Sequence, residues 1–169
     1  MPDFDVVELG PADHPEAGTD APGFTRPLVN DEFWEDRSLS DLTAEGRVIL
    51  VFTPMIGSYA AKYIWDELTE RGWYERDARV VGVSASSPYE HSSVIADNEY
   101  PFDLFADPAN GVAEAYGIAH DLDGMAGVSE PRPAFFAIDA DGVVEASWVA
   151  TEWPEFPQYD DLEETLGLA

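Results

Sequence analysis

Apolar positions along the chain follow two rhythms. Val48–Phe52 and Arg79–Ser84 are short runs dense in β-branched and aromatic residues. Runs of that length and composition predict buried strands. From Ser58 the spacing changes: Ala61, Ile64, Trp65 and Leu68 recur at three- and four-residue steps, the mark of an amphipathic helix. Ser58 suits its N-cap, since a hydroxyl can accept from a free N–H of the first turn. Gly72 suits C′ at its exit. Pro54 and Gly57 interrupt the chain between strand and helix. Residues 47–62 therefore read as strand, tight loop and helix N-terminus, a junction where backbone N–H groups and the positive end of the helix dipole gather.

The rest of the chain alternates in the same way. Residues 87–96, with Pro88 near N1, predict a second helix. Residues 100–108 give a short strand stopped by proline, and residues 107–117 a short helix ended by Gly117. Residues 118–129, rich in glycine and aspartate, predict a loop. Residues 134–139 and 143–149 flank Asp141-Gly142, a hairpin signal. Leu162 and Leu166 lie one turn apart in a last helix over residues 159–168, with Asp160 as candidate N-cap. Ser40 and Asp41 suit the cap of a short helical turn. The order predicts an α/β fold: a mostly parallel sheet, helices on both faces, and an antiparallel hairpin at the end. Residues 1–19, rich in acids, proline and small residues, predict a solvated or loosely docked acidic arm ahead of one domain over residues 20–169.

Composition sharpens the picture. Thirty-five acidic residues face eight basic ones, a formal net charge of −27, and Lys62 is the lone lysine. Phosphate contacts need Lys and Arg, so nucleic acid is excluded as a partner. The acids are scattered rather than gathered in a tail. A chain so charged repels itself in dilute buffer and is relieved by molar salt. In this respect it resembles proteins of extremely halophilic archaea, and a salt-rich cytoplasm is the expected location. The sequence shows neither an apolar run of the roughly 20 residues a membrane helix needs nor a secretory leader. The chain contains no cysteine.

Pro54-x-x-x-Ser58-x-x-Ala61 resembles the active-site loop of peroxiredoxins, Pro-x-x-x-Thr/Ser-x-x-Cys, with alanine at the cysteine position. Three further stretches carry the resemblance. Asp20-Ala-Pro-Gly-Phe24 is similar to the family's entry motif, Leu39-Ser-Asp-Leu42 to the turn before its first central strand, and Asp107-Pro108 with Val112-Ala113 and Tyr116-Gly117 to a later run. The resemblance covers roughly residues 20–166. It implies a thioredoxin-like fold with peroxiredoxin-type elaborations, a central mixed sheet flanked by helices, and a homodimer. It implies that Pro54 shapes a pocket and that Ser58 is the hydrogen-bonding hydroxyl, while Ala61 stands where a thiolate would attack peroxide. A methyl group is no nucleophile. The family's arginine position falls on Pro133, and Arg132 sits one place earlier, so its side chain is expected to point elsewhere. A proline at 133 resembles the cis-proline of thioredoxins, so a cis Arg132–Pro133 bond is expected.

The function so implied is that of a binding or interaction module which has lost thiol chemistry. The alternative is an antioxidant oxidoreductase of the alkyl hydroperoxide reductase and thiol-specific antioxidant family, acting by an unrecognised mechanism or one that depends on a partner, such as a partner's thiol. No cofactor is implied. His91, His120, Asp121 and Asp123 offer metal-ligand types without the spacing of a calcium loop, so a solvated acidic loop is the expectation there. Ser58 lacks a Gly-x-Ser-x-Gly elbow and reads as an N-cap, and His91 reads as a partly exposed polar residue. Tyr59, Tyr63 and Trp65 suit core or subunit contact. Trp148, Trp153 and Phe156 with Pro154 and Pro157 form an apolar tail suited to an interface or a lid.

Overall fold

The computed structural model describes residues 5–168; the first four residues of the predicted arm and Ala169 lie outside the described residues. The first third holds β1 (Val7–Glu8), β2 (Thr25–Val29), β3 (Trp34–Ser38) and α1 (Leu39–Thr43). The middle holds β4 (Val48–Phe52), α2 (Tyr59–Glu70), β5 (Arg79–Ser84), α3 (Pro88–Asn98), β6 (Asp103–Ala106) and α4 (Gly111–Ala115). The last third holds β7 (Ala119–His120), β8 (Glu130–Pro131), β9 (Ala134–Ile138), β10 (Val144–Val149), β11 (Glu152–Trp153) and α5 (Tyr159–Thr165).

Seven strands form one mixed sheet in the order β10-β9-β4-β5-β6-β2-β3. Strands β4, β5 and β6 are parallel, and β9 and β2 pair antiparallel on either side of them. β4 is buried along its whole length, which is why it reads as an unbroken apolar run rather than an alternation. Its residues nevertheless divide between two faces. Ile49 and Val51 pack with Ile64, Trp65 and Leu68 of α2 and Leu162 of α5. Val48, Leu50 and Phe52 pack with Leu42, Phe105, Tyr116 and Phe136. The α/β class and the mixed sheet implied by the resemblance are observed, but the expectation of a mostly parallel sheet is corrected. Of the six strand pairings only β4–β5 and β5–β6 are parallel, because an antiparallel hairpin is added on each side of that core.

Two local expectations differ, and one hairpin is added. The hairpin of β2 and β3 had no clear signal, because Thr-Arg-Pro-Leu-Val and Trp-Glu-Asp-Arg-Ser lack strand alternation. Pairing with β6 and the ion pair from Arg26 Nε to Asp107 Oδ1, at 2.8 Å, hold it in place. The first helix is capped at Ser38 rather than at Ser40 or Asp41. Asp41 N–H donates to Ser38 Oγ and Ser38 N–H donates to Asp41 Oδ2, a capping box. The last helix starts from Gln158, with Asp160 inside the first turn, where its charge meets the helix dipole.

The described part of the N-terminal segment is hydrogen-bonded to the domain rather than loose. Val7 and Glu8 pair with Trp153 and Glu152, Leu9 N–H donates to Thr151 O at 2.9 Å, and Gly18 N–H donates to Val144 O at 2.8 Å. Gly117, at φ 70°, backs onto the Asp13 backbone so closely that no side chain fits there. Among the described residues no helix is long and apolar enough to cross a membrane.

Gly82 in β5 sets the depth of α2 on the sheet. A methyl there would come closer than 3.0 Å to the Trp65 ring and the Leu104 side chain. Trp65 is 1% exposed, so the ring cannot swing outward. Gly82→Ala is expected to destabilise the fold by about 1–3 kcal/mol, the usual range for an overpacked core. Urea titration in molar KCl measures it, and an unchanged midpoint would show that the ring has room to move.

Candidate functional site

β4 ends at Phe52, and residues 53–58 carry the chain into α2. Each turn of this loop is tied down. Thr53 N–H donates to Val83 O at 3.2 Å, and the Thr53 hydroxyl donates to Pro54 O at 2.8 Å. Met55 N–H donates to Glu130 Oε2 at 2.9 Å, and Ile56 N–H donates to Ser86 Oγ at 2.9 Å. Ser58 is the N-cap of α2, its Oγ accepting from Ala61 N–H at 3.2 Å. Pro54 is buried. Ala61 is 0% exposed and belongs to the apolar cluster that also contains Val51, Ile56, Ile64 and Trp65.

Pairing of Phe52 with Ala134 brings Pro54 and the Arg132-Pro133 step to the same end of neighbouring strands. The peptide bond between Arg132 and Pro133 is trans; among the described residues the cis bond is Trp153–Pro154. The expectation of a cis bond at Pro133 is therefore corrected. The backbone bends at Pro133 as it enters β9, with Arg132 N–H donating to Ile118 O at 2.9 Å and Pro133 O accepting from Ala150 N–H at 3.0 Å. Both bonds are met with the peptide trans. Arg132 is 6% exposed. Its guanidinium donates to the carbonyls of Gly10 (2.9 Å), Leu9 (3.2 Å) and Ala150 (3.3 Å). Burial lowers its basicity, and no carboxylate pairs with it among the described residues. Its donors thus hold the N-terminal segment.

Glu130 and Ser86 are the site residues that sequence reasoning missed. Ser86 carries no signal in the chain. Glu130, an acid leading into a buried strand, was in principle conspicuous. It is 1% exposed. Burial pushes its carboxyl up, the Met55 N–H opposes this by favouring the anion, and neighbouring Asp123 pushes it up again.

Beside the loop lies a cleft of about 250 Å³. Its floor is Gly57, Ser58 and Ala60, and its walls are Tyr59, Tyr63, Trp153, Pro154 and Phe156, with Asp123 at one side. The apolar tail foreseen as an interface or a lid thus leans over the start of α2, although Trp148 packs inward on Phe135, with ring centroids 5.9 Å apart. Ala61, Pro54 and Pro133 do not line this cleft.

The other candidates are dispersed. His91, expected to be partly exposed, is 0% exposed. Its Nε2 lies 2.8 Å from Ser84 Oγ and its Nδ1 2.9 Å from Ser87 O. Burial holds it neutral by lowering its pKa, so it is a structural pin between β5 and α3. His120 Nδ1 lies 3.4 Å from Asp121 Oδ1. Among the described residues no three metal-ligating side chains come together.

Tied loop, helix N-terminus and mixed sheet together define a thioredoxin-like protein of peroxiredoxin type. The AhpC/TSA family model matches residues 17–147, and the chain belongs to that family. Among solved structures it is similar to peroxidoxin BcpB from Mycobacterium tuberculosis, at 22% identity and TM-score 0.69, over 92% of this chain and 96% of that one. It is also similar to the reduced 2-Cys peroxiredoxin of Plasmodium vivax, at 21% identity and TM-score 0.72, over 89% and 94%. Mycobacterium tuberculosis AhpC matches at 15% identity and TM-score 0.71, over 90% and 91%. Likeness at these identities speaks for the fold alone. The comparison with curated proteins gave no match.

Proposed function

We propose that this chain is a peroxiredoxin-like protein that performs no thiol peroxidase chemistry and acts as a binding or interaction module in a salt-rich cytoplasm. One observation carries the reading. The loop keeps its proline and its capping hydroxyl, yet the nucleophile position holds a methyl group enclosed in the core, in a chain without cysteine. Thiol peroxidase turnover needs a thiolate to attack the peroxide O–O bond. The three methionines offer thioethers, which oxidise but do not cycle through a disulfide. The surroundings favour binding over chemistry: the loop is fixed by Glu130 and Ser86, and the open space beside it is apolar and aromatic. A homodimer forms part of the proposal, by likeness to the family.

The test is peroxide consumption in molar KCl, with hydrogen peroxide and an organic hydroperoxide, and with thioredoxin and its reductase supplied as the partner thiol. The expected result is the blank rate. Steady turnover above blank would sink the reading and favour the alternative, an oxidoreductase that works through a partner's sulfur.

A further inference from the structure

The cleft beside α2 has walls of one kind and charge of one sign. We infer that it is a binding site for a small quaternary or alkylated ammonium cation, held by the faces of Tyr59, Tyr63, Trp153 and Phe156 and by the carboxylate of Asp123. The inference rests on the reading that this end of the fold binds rather than catalyses.

Ring geometry supports it. Tyr63 and Phe156 meet at 72° with centroids 5.8 Å apart, making a corner, and Tyr59 lies nearly parallel to Tyr63, at 28° and 6.4 Å. Rings set at a corner present π-faces in two directions, the arrangement that attracts an alkylated cation. Tyr59 is 70% and Tyr63 39% exposed, so a ligand can reach both rings from solvent.

Charge supports it independently. Asp123 is the one ionisable carboxylate in the lining, no Lys or Arg faces the space, and Asp123 makes no ion pair among the described residues. The cleft runs on past Tyr63 and Phe156 into an open groove with Asp66, Glu67 and Glu70. Among the described residues, Lys62 pairs with Asp66 and Arg71 with Glu67 there, and Glu70 makes no ion pair. An anion would meet the Asp123 carboxylate, apolar rings and, along the groove, Asp66, Glu67 and Glu70, with the first turn of α2 alone in its favour. That turn instead suits a hydroxyl or other acceptor carried on the same ligand. An alkylated ammonium also differs from the potassium of a salt-rich medium in being weakly hydrated, so it gives up little solvation on entering an apolar cage.

Choline and its neutral isostere 3,3-dimethylbutan-1-ol are the probes, titrated at constant ionic strength in molar KCl and followed by ligand-observed NMR. Choline is expected to saturate with a dissociation constant on the order of 1–10 mM, in keeping with its few heavy atoms. The neutral isostere is expected to bind about tenfold more weakly, the cation–π share of the affinity. Tyr63→Leu and Asp123→Asn, both on exposed side chains, should each weaken choline about three- to tenfold. Tyr89→Leu, outside the cleft, should not. Equal binding of the two probes, choline binding unchanged in Tyr63→Leu, or no saturation by about 100 mM choline would each overturn the inference. These outcomes are separate from the peroxide assay: turnover there would displace the proposed function and leave a measured cation site standing.

Discussion

Moved from molar KCl into dilute buffer, the protein is expected to lose its fold. Seven of its eight cationic side chains, all but Arg132, already lie within 4.0 Å of a carboxylate. Further acids therefore have no cation left to meet, and the −27 charge must be screened by the medium. At 0.1 M salt the Debye length is about 10 Å, so carboxylates on neighbouring elements repel; at 1 M it is about 3 Å, and only touching charges do. The surface ion pairs add little to offset this, since exposed pairs contribute roughly 0–1 kcal/mol each. Marginal stabilities of about 5–15 kcal/mol are within reach of such repulsion. Circular dichroism against KCl concentration should show helical signal lost below a few tenths molar and regained on adding salt back. Melting temperatures that agree at 0.05 M and 2 M KCl would refute the expectation, and with it the salt-adapted reading of the composition.

Much of the fold was legible because buried strands announce themselves. Val48–Phe52 and Arg79–Ser84 are printed in the chain as apolar runs and are strands with those bounds. The helix from Ser58 was legible because cap, period and terminal glycine agree. What escaped was structure imposed from a distance. β2 and β3 exist because β6 offers an edge and Arg26 finds Asp107 across 81 residues. The N-terminal segment is docked because a buried arginine needs acceptors and finds them in the Leu9 and Gly10 carbonyls. Composition around those residues shows neither fact. At the site, Pro54, Ser58 and Ala61 stand at the strand–helix junction where the spacing put them. The aromatic cleft was half visible: its tail was singled out, but that Trp153 and Phe156 would close over Tyr59 and Tyr63 depends on tertiary contact. The cis assignment at Pro133 failed because it rested on a resemblance in position alone, while the Arg132 N–H and the Pro133 carbonyl find Ile118 and Ala150 as partners with the peptide trans.

Ala61→Cys is expected to leave the protein inactive toward peroxide, although it restores the missing atom. The substituted sulfur would enter a space shared with Ile56, Ile64 and Trp65, where the present methyl is 0% exposed. Two effects then compete. The first turn of α2 favours the thiolate through its dipole and free N–H groups, but those act strongly only on a charge at the helix mouth. Apolar burial favours the neutral thiol, and it also denies peroxide access. A cation could tip the balance, but Arg132 is committed to three backbone carbonyls and Lys62 to Asp66 and Asn98. Burial should therefore win, holding the thiol above the free-cysteine value of about 8.5. Labelling with a disulfide reagent at pH 8 should be at least about a hundredfold slower in molar KCl than after unfolding in guanidinium, and peroxide turnover should not exceed that of free cysteine. A melt of the variant shows whether the sulfur is accommodated, since overpacking of a core typically costs about 1–3 kcal/mol. Rapid labelling of the folded variant together with peroxide turnover well above free cysteine would mean that the loop opens to solvent and that this site lost its chemistry by a single substitution. Slow labelling with no turnover would mean that loss of the nucleophile was followed by closure of the core around its place.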